Sequence, residues 1–411
     1  MACRYCRFCG TQLRFTLVDL GMSPLANAYL TASQLHREEP LYPLRAYVCE
    51  HCFLVQLEEF ASPEQIFQDY AYFASYSETW LAHVRAYTDM IVERFGLDGH
   101  SQIVEIASND GYLLQYFVAR GIPVLGIEPA ANVAQAARQK GIRTMVQFFG
   151  EALARQLVTQ GIRADLLIGN NVLAHVPQLN DFVRGLKVLL RPCGVITLEF
   201  PHLMRLMAEN QFDTIYHEHF SYFSLLTVNK ILTTHGLTLF DVEELSTHGG
   251  SLRIYARHAE NAAKPITRRV TDLLAREEEA GFACLPRYLS FAETIKETKR
   301  QILDFLRQVQ QQGKAIVGYG APAKGNTLLN YCGIRADILN YTVDRSPHKQ
   351  GHFLPGTHIP IYHPDYIRTT KPDYLLILPW NLQDEIMAQM AYIRQWGGQF
   401  VVFIPEVRVY A

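Results

Sequence analysis

The chain has 411 residues, 49% of them hydrophobic and 19% charged, with a formal net charge of -2; this is globular composition with material for two or three domains. The near-zero charge excludes a global basic field for nucleic acid or an anionic membrane, leaving only local basic pockets. No signal-like apolar segment follows Met1 and no apolar run is long enough to span a bilayer, so the expectation is a cytoplasmic protein with no nucleic-acid or membrane partner.

Eight cysteines in a reducing compartment are not expected to form a disulfide framework, and their clustering suggests metal instead. Cys6-Arg7-Phe8-Cys9-Gly10 and Cys49-Glu50-His51-Cys52 are two C-x2-C knuckles in one short segment. The two-residue gap lets both sulfurs face one ion, and Gly10 permits the tight turn after the second. Four thiolates close a tetrahedral zinc shell and leave no position for water, so the ion is expected to be structural. Cys3-x2-Cys6 is an alternative first knuckle; Gly10 favours Cys6 and Cys9. Between the knuckles, Asp19 to Asn27 reads as a loop. A module of residues 1–70 this small is expected to need its metal to hold a core.

The aromatic stretch Asp69 to Glu78 follows, ahead of a helix expected from Thr79 to Phe95. Most of these rings are read as packing. Tyr76, between Ser75 and Ser77 at the helix entry, is the one expected to show its hydroxyl to a site.

Gln102 to Gly111 then reads as a buried strand ending in an acid and a turn, with a helix from Tyr112 to Arg120. A second strand, Val124 to Pro129, ends in Glu128. Strand, small-residue turn, helix, strand, acid is the pattern of an α/β nucleotide-binding unit, with the second acid placed to accept from ribose hydroxyls. Glycines are few in the turn, and Glu105 and Asp110 would repel a pyrophosphate. That disfavours NAD and favours a cofactor carrying a positive centre and an amino group.

Tyr216-His217-Glu218-His219-Phe220-Ser221-Tyr222 gathers two histidines, a carboxylate and two phenols into seven residues, each able to move or hold a proton. A metal pair is the competing reading of His217-Glu218-His219, but the helical H-E-x-x-H spacing is absent and no third ligand is evident. Imidazole titrates near working pH and is oriented through its second nitrogen, which makes His219 the candidate base, with His217 structural. Glu218 is its expected partner or a ligand for a substrate hydroxyl. Tyr216 and Tyr76 are candidate donors to a developing oxyanion, and His175 could assist proton transfer.

Downstream, Pro265 to Gln312 is mostly helical. Lys314 to Gly320 is a strand and turn leading into a helix, followed by a strand from Leu339 to Asp344. A glycine-rich turn at a helix start suits a phosphate, and Lys324 adds a cation. Tyr319, Asn326, Asp344, Arg345 and Trp380 lie near the same expected strand ends and are candidate substrate contacts. Domain limits of 71–255 and 256–411 follow.

Glu105-x-Ala107-x-Asn109-x-Gly111 resembles the first motif of S-adenosylmethionine-dependent methyltransferases, E/D-x-G-x-G-x-G, with Ala107 and Asn109 replacing two glycines. The stretches Asp165 to Val176 and Gly194 to Phe200 resemble that family's fourth and fifth strands. The resemblance implies that Glu105, Ala107, Ser108, Asn109, Gly111, Glu128, Asn170 and Asn171 bind S-adenosylmethionine. Together with the four-cysteine segment, YHEHFSYFS and GYGAPAKGNTLLN, the chain resembles over its whole length the C-methyltransferases of nucleotide-linked 4-keto-deoxysugars, those of tetronitrose biosynthesis among them. It implies a zinc module, a class I Rossmann-like methyltransferase domain and a second Rossmann-like domain holding the sugar nucleotide. It also implies His219 as the base that forms an enolate for methylation at C-3, in an enzyme expected to be monomeric. The alternatives are an O- or N-methyltransferase and a sugar-nucleotide-binding protein without turnover.

Overall fold

A computed structural model describes residues 4–62 and 73–411. Cys3 and Asp69 to Tyr72 lie outside the described residues. Three sheets organise the chain. The largest has seven strands in the order Leu237–Leu245, Ser251–His258, Leu190–Pro201, Ala164–Asn170, Ile103–Ile106, Val124–Ile127, Thr144–Met145. The last five are parallel and Ser251–His258 runs antiparallel to Leu190–Pro201. Ile103–Ile106 is buried at every position, as expected of a central strand covered on both faces. The chain crosses from one side of this strand to the other after Thr144–Met145. The crevice at its carboxyl end is therefore the ligand position of a doubly wound sheet.

The carboxy-terminal sheet repeats the plan. Its six strands run Ile361–Tyr362, Thr342–Val343, Ile316–Tyr319, Tyr374–Ile377, Gln399–Val402, Arg408–Tyr410, parallel except for the last. The strand expected over Leu339 to Asp344 is Thr342–Val343; the Asp344 amide still bonds the Tyr362 carbonyl while its carboxylate holds the Ala321 and Ser346 turns. The helix expected from Tyr112 is Leu114–Val118, while Glu78–Phe95 matches its expected span to within a residue. Among the described residues no helix is long and apolar enough to cross a membrane.

The amino-terminal module is an antiparallel sheet of Phe15–Ser23, Tyr42–Val48 and Val55–Leu57. The stretch read as a loop from Asp19 is strand through Ser23, with buried Leu20 and Ser23 facing inward, and turns only from Pro24. The sulfurs of Cys6, Cys9, Cys49 and Cys52 all lie within 4.8 Å of one another. Two pairs approach to 3.5 Å, near the ~3.8 Å expected between ligands on a tetrahedral zinc with Zn–S of about 2.3 Å. Four soft donors at this spacing fit zinc, and the Gln56 side-chain amide donates to the Cys6 sulfur at 3.2 Å, as it would to a thiolate.

The fourth strand of this sheet comes from elsewhere in the chain. Ser221–Tyr222 pairs antiparallel with Val55–Leu57, and the Leu57 amide donates to the Phe220 carbonyl at 3.0 Å. The Thr227 hydroxyl adds a bond to the carbonyl of the zinc ligand Cys52. The stretch carrying His219 is therefore an edge of the metal module. Chelation should strip hydrogen-exchange protection from residues 55–57 and 220–222 together while Ile103–Ile106 keeps its own. Retained protection at 220–222 in the zinc-free protein would show that the metal does not brace this stretch.

Candidate active site

At the first turn of the seven-stranded sheet the two replaced glycines keep glycine's backbone. Ala107 and Asn109 adopt φ of 57° and 48°, the left-handed region. Asparagine tolerates it because its short side chain can bond locally. The Asn109 side-chain oxygen accepts from the amides of Asp110 and Ala74. Gly111 has φ of 76°, and a Cβ there would stand 2.2 Å from the Ile142 side chain, so no larger residue fits.

Four acids surround this turn with different electrostatic fates. Glu105 is fully buried, and among the described residues neither of its oxygens has a well-formed hydrogen bond. Burial pushes it well above the usual carboxylate range; the Tyr112 hydroxyl offsets part of this, and Glu128 and Asp110 add to it. Glu128 accepts from the Asn109 and Ala130 amides, both at 2.9 Å, yet burial still raises it to about 7. Asp110 pairs with Lys140 through one oxygen at 3.2 Å and leaves the other without a partner. Glu199 lies under the same crevice. Burial pushes it up, but the His83 hydrogen bond and the Arg253 charge outweigh that and hold it low. Three buried carboxylates that share one lysine among the described residues fit a ligand that brings positive charge, as S-adenosylmethionine does, and oppose a pyrophosphate. Glu105, Asp110 and Glu128 are the residues that would hold it. Ser108 is buried at this turn, and Asn170 closes its fourth strand. Asn171, at φ 53°, bonds the His248 ring at 3.1 Å.

The reactive stretch leaves a short turn, Phe212–Thr214, and packs beside this crevice. The His219 Nδ1 faces the Thr214 carbonyl at 3.1 Å, and its Nε2 faces the Tyr216 hydroxyl at 2.8 Å. A carbonyl can only accept, so Nδ1 carries the proton and Nε2 presents a lone pair to which Tyr216 donates. Burial pushes His219 well below the ordinary imidazole value, and the nearby His175 and His248 push it the same way. His175 stands edge-on to it, ring centres 4.7 Å apart, and burial lowers that ring to about 4. Both rings are neutral at neutral pH. Glu218 is buried and raised to about 7 by desolvation, against a hydrogen bond from Asn27 at 2.7 Å. His217 points away, to the Pro43 carbonyl.

The carboxy-terminal domain reaches the same cleft differently from the phosphate-cradle expectation. The Ala321 amide already donates to Asp344, and Pro322 has no N–H. Asp344 and Asn326 are occupied with structure: Asp344 also accepts from the Ser346 amide, and Asn326 donates to the Ala26 carbonyl. The Tyr319 hydroxyl goes to Gln389. Arg345 is exposed. Lys324 instead faces the methyltransferase cleft. It donates to Asn381 at 2.6 Å and lies 4.3 Å over the Trp380 ring, and burial lowers it to about 8 against the attraction of Asp213. Trp380 is buried between domains, donating to Asp213 at 2.8 Å and packed against Gly249. Tyr76 is 65% exposed and stacks on His348, rings 6.3 Å apart, so the structure does not bring it to His219.

Sequence reasoning passed over Tyr29 and Asp213, read Asn27 only as the end of a loop, and placed Lys349 only in a polar loop, Asp344 to Gly351, that could line the cleft and His248 only in the turn Thr247 to Gly250. Their contacts join segments hundreds of residues apart, and no local pattern marks them.

Three family models match in sequence: one described as "Putative zinc binding domain" over residues 6–67, one as a methyltransferase domain over 80–242, and one as the C-methyltransferase C-terminal domain over 246–405. The C-methyltransferase NovU of Streptomyces niveus is 37% identical over 404 residues, 98% of this chain and 96% of that protein. Among solved structures, magnesium protoporphyrin IX methyltransferase from Synechocystis PCC 6803 with bound SAH aligns at 19% identity and a TM-score of 0.35, over 43% of this chain and 82% of its own. The CcbJ methyltransferase from Streptomyces caelestis aligns at 12% and 0.34, over 43% and 89%. The assignment rests on the full-length relative and the family models and not on these partial alignments. The chain belongs to the C-methyltransferases, S-adenosylmethionine-dependent enzymes in which a zinc-binding module, a methyltransferase domain and a C-terminal domain form one polypeptide.

Proposed function

We propose that the acceptor is a nucleotide-linked 4-keto-deoxysugar and that the methyl group goes to C-3, beside the ketone. The observation that supports this best is the neutral His219 imidazole, fixed by the Thr214 carbonyl and presenting Nε2 toward Tyr216. Carbon becomes a nucleophile only after losing a proton, and the proton α to a ketone is the one a positioned imidazole can take.

S-adenosylmethionine, when bound, supplies an electrophilic methyl on a positive sulfur. The Tyr216 hydroxyl can turn from His219 to the ketone oxygen, which frees Nε2 for the C-3 hydrogen. His219 takes that proton, the C–H electrons pass into the ring as an enolate, and Tyr216 holds the developing oxyanion. The Lys324 ammonium, on the far wall, stabilises the same negative charge. The enolate carbon would then take the methyl group that S-adenosylmethionine supplies, and His219 returns to its neutral form by giving the proton to solvent. Glu218 binds a sugar hydroxyl or orients the ring.

His219→Asn should retain S-adenosylmethionine binding by calorimetry and lose turnover by about 10²–10⁴-fold; near-native turnover would remove His219 from the base role. A substrate deuterated at C-3 should lose its label in the product, with the new methyl on carbon by NMR. Retained deuterium with the methyl on oxygen or nitrogen would favour the O- or N-methyltransferase reading. Protonation of Glu105 and Glu128 gives a further check. Both are raised when free, and a cationic ligand favours their ionised forms. Binding should therefore release protons, and affinity for S-adenosylmethionine should increase as pH rises through about 7. Calorimetry in buffers of different ionisation enthalpy reads this directly; no proton exchange would mean these acids do not meet the positive end of the ligand.

A further inference from the structure

The loop after Phe15–Ser23 carries two polar side chains into the active site from the zinc-binding module. The Asn27 amide nitrogen donates to Glu218 Oε1 at 2.7 Å. The Tyr29 hydroxyl lies 3.2 Å from its amide oxygen and 2.5 Å from the Ala321 carbonyl, so its single proton is shared between two acceptors. With its oxygen turned to that hydroxyl, the amide presents its NH2 to Glu218, so Tyr29 favours the end of Asn27 that meets the carboxyl group. Tyr29 is itself held by the carboxy-terminal domain: Lys349 lies 5.2 Å over its ring and donates to the same Ala321 carbonyl at 2.8 Å. The loop is anchored on its other side by Asn326, which donates to the Ala26 carbonyl. One chain of contacts thus runs from the carboxy-terminal domain through the zinc module to the carboxyl group beside His219.

We propose that Asn27 is a positioning residue for the transfer reaction: oriented by Tyr29, it fixes Glu218 as a carboxylate in one rotamer beside the His219–Tyr216 pair. This rests on the reading of Glu218 as an active-site group. Glu218 is buried, and an amide N–H pointed at its oxygen favours the ionised carboxylate over the neutral acid, because the hydrogen bond to the charged form is the stronger one. The other groups facing Glu218 are Lys349, whose charge also favours ionisation, the Tyr29 hydroxyl, and His175, which hydrogen-bonds the Glu218 backbone. Lys349 is already engaged by Asp344 at 3.9 Å, which leaves Asn27 as the direct partner.

The test is Asn27→Ala with S-adenosylmethionine saturating, so that Glu105 and Glu128 do not titrate in the rate. kcat should fall by about ten- to a hundredfold while calorimetric cofactor affinity and zinc content stay unchanged. The acid limb of the kcat profile, and the Glu218 carboxyl resonance in 13C-glutamate-labelled protein identified against Glu218→Gln, should both move up by about one pH unit. Tyr29→Phe, which keeps the ring and lets Asn27 turn, should shift both in the same direction by less, and it serves as the variant should Asn27→Ala not fold. An unmoved Glu218 resonance in both variants would overturn the proposal whether or not the rate fell. A methyl group found on oxygen would overturn the carbanion reading instead, and that appears in the product and not in this titration.

Discussion

A two-residue strand pairing fixes where the candidate site lies. Ser221–Tyr222 adds a strand to the zinc module's sheet while the residues just before it, Tyr216 to Phe220, form one wall of the methyltransferase crevice. A two-residue strand has little stability of its own, since so short a pairing cannot repay its ordering entropy. It persists because its partner, Val55–Leu57, is completely buried and follows directly on a zinc knuckle. The metal therefore does more than hold a small core together. It fixes the edge on which His219 is registered, although its four sulfurs leave no place for substrate.

The electrostatics of the site follow from which charges have partners. Glu199 and Glu105 are both fully buried, yet they titrate in opposite directions because Glu199 has Arg253 and His83 and Glu105 has no cation. The first acid belongs to the framework, and the second waits for a ligand's charge. The same contrast runs through the bases. Burial outweighs the other influences on His175, His219 and His248, including the attraction of Glu199 for His248, and keeps all three neutral. The proposed reaction would use both halves of this arrangement, the acids for a ligand's positive charge and an imidazole for a proton.

Much of this was legible in the sequence, for identifiable reasons. The cysteine knuckles, the acid-ended strands and the YHEHFSY stretch are local patterns whose chemistry follows from residue type and spacing. The substituted motif was readable because Ala107 and Asn109 sit where left-handed backbone is required, and their φ values of 57° and 48° confirm the turn despite the missing glycines. What escaped was anything that depends on packing between distant segments. Lys324 reads as a phosphate lysine from its helix start. Its direction is set instead by Asn381 and Trp380, some fifty residues away in sequence. Asp344 reads as a site residue at a strand end, but the Ala321 amide claims it. Asn27 lies in an unremarkable stretch and gains its meaning only from a carboxylate 191 positions on.

The turn of the carboxy-terminal domain is tied down just ahead of its helix, Ala323–Cys332: the Ala321 amide is bonded to Asp344 and Pro322 has none. Lys324 is lowered to about 8 by burial and keeps its proton at neutral pH because Asp213, across the domain boundary, attracts it. Asp213 also receives the Trp380 indole, so one buried carboxylate ties the two domains together at the point where the lysine enters the cleft. In the proposed reaction a ketone oxygen gaining negative charge would have this ammonium, whose charge already reaches His219, to stabilise it. Separating the domains would break the Trp380–Asp213 bond and remove Lys324 from Asp213 in one step, so the proposed electrostatics depend on where the carboxy-terminal domain sits.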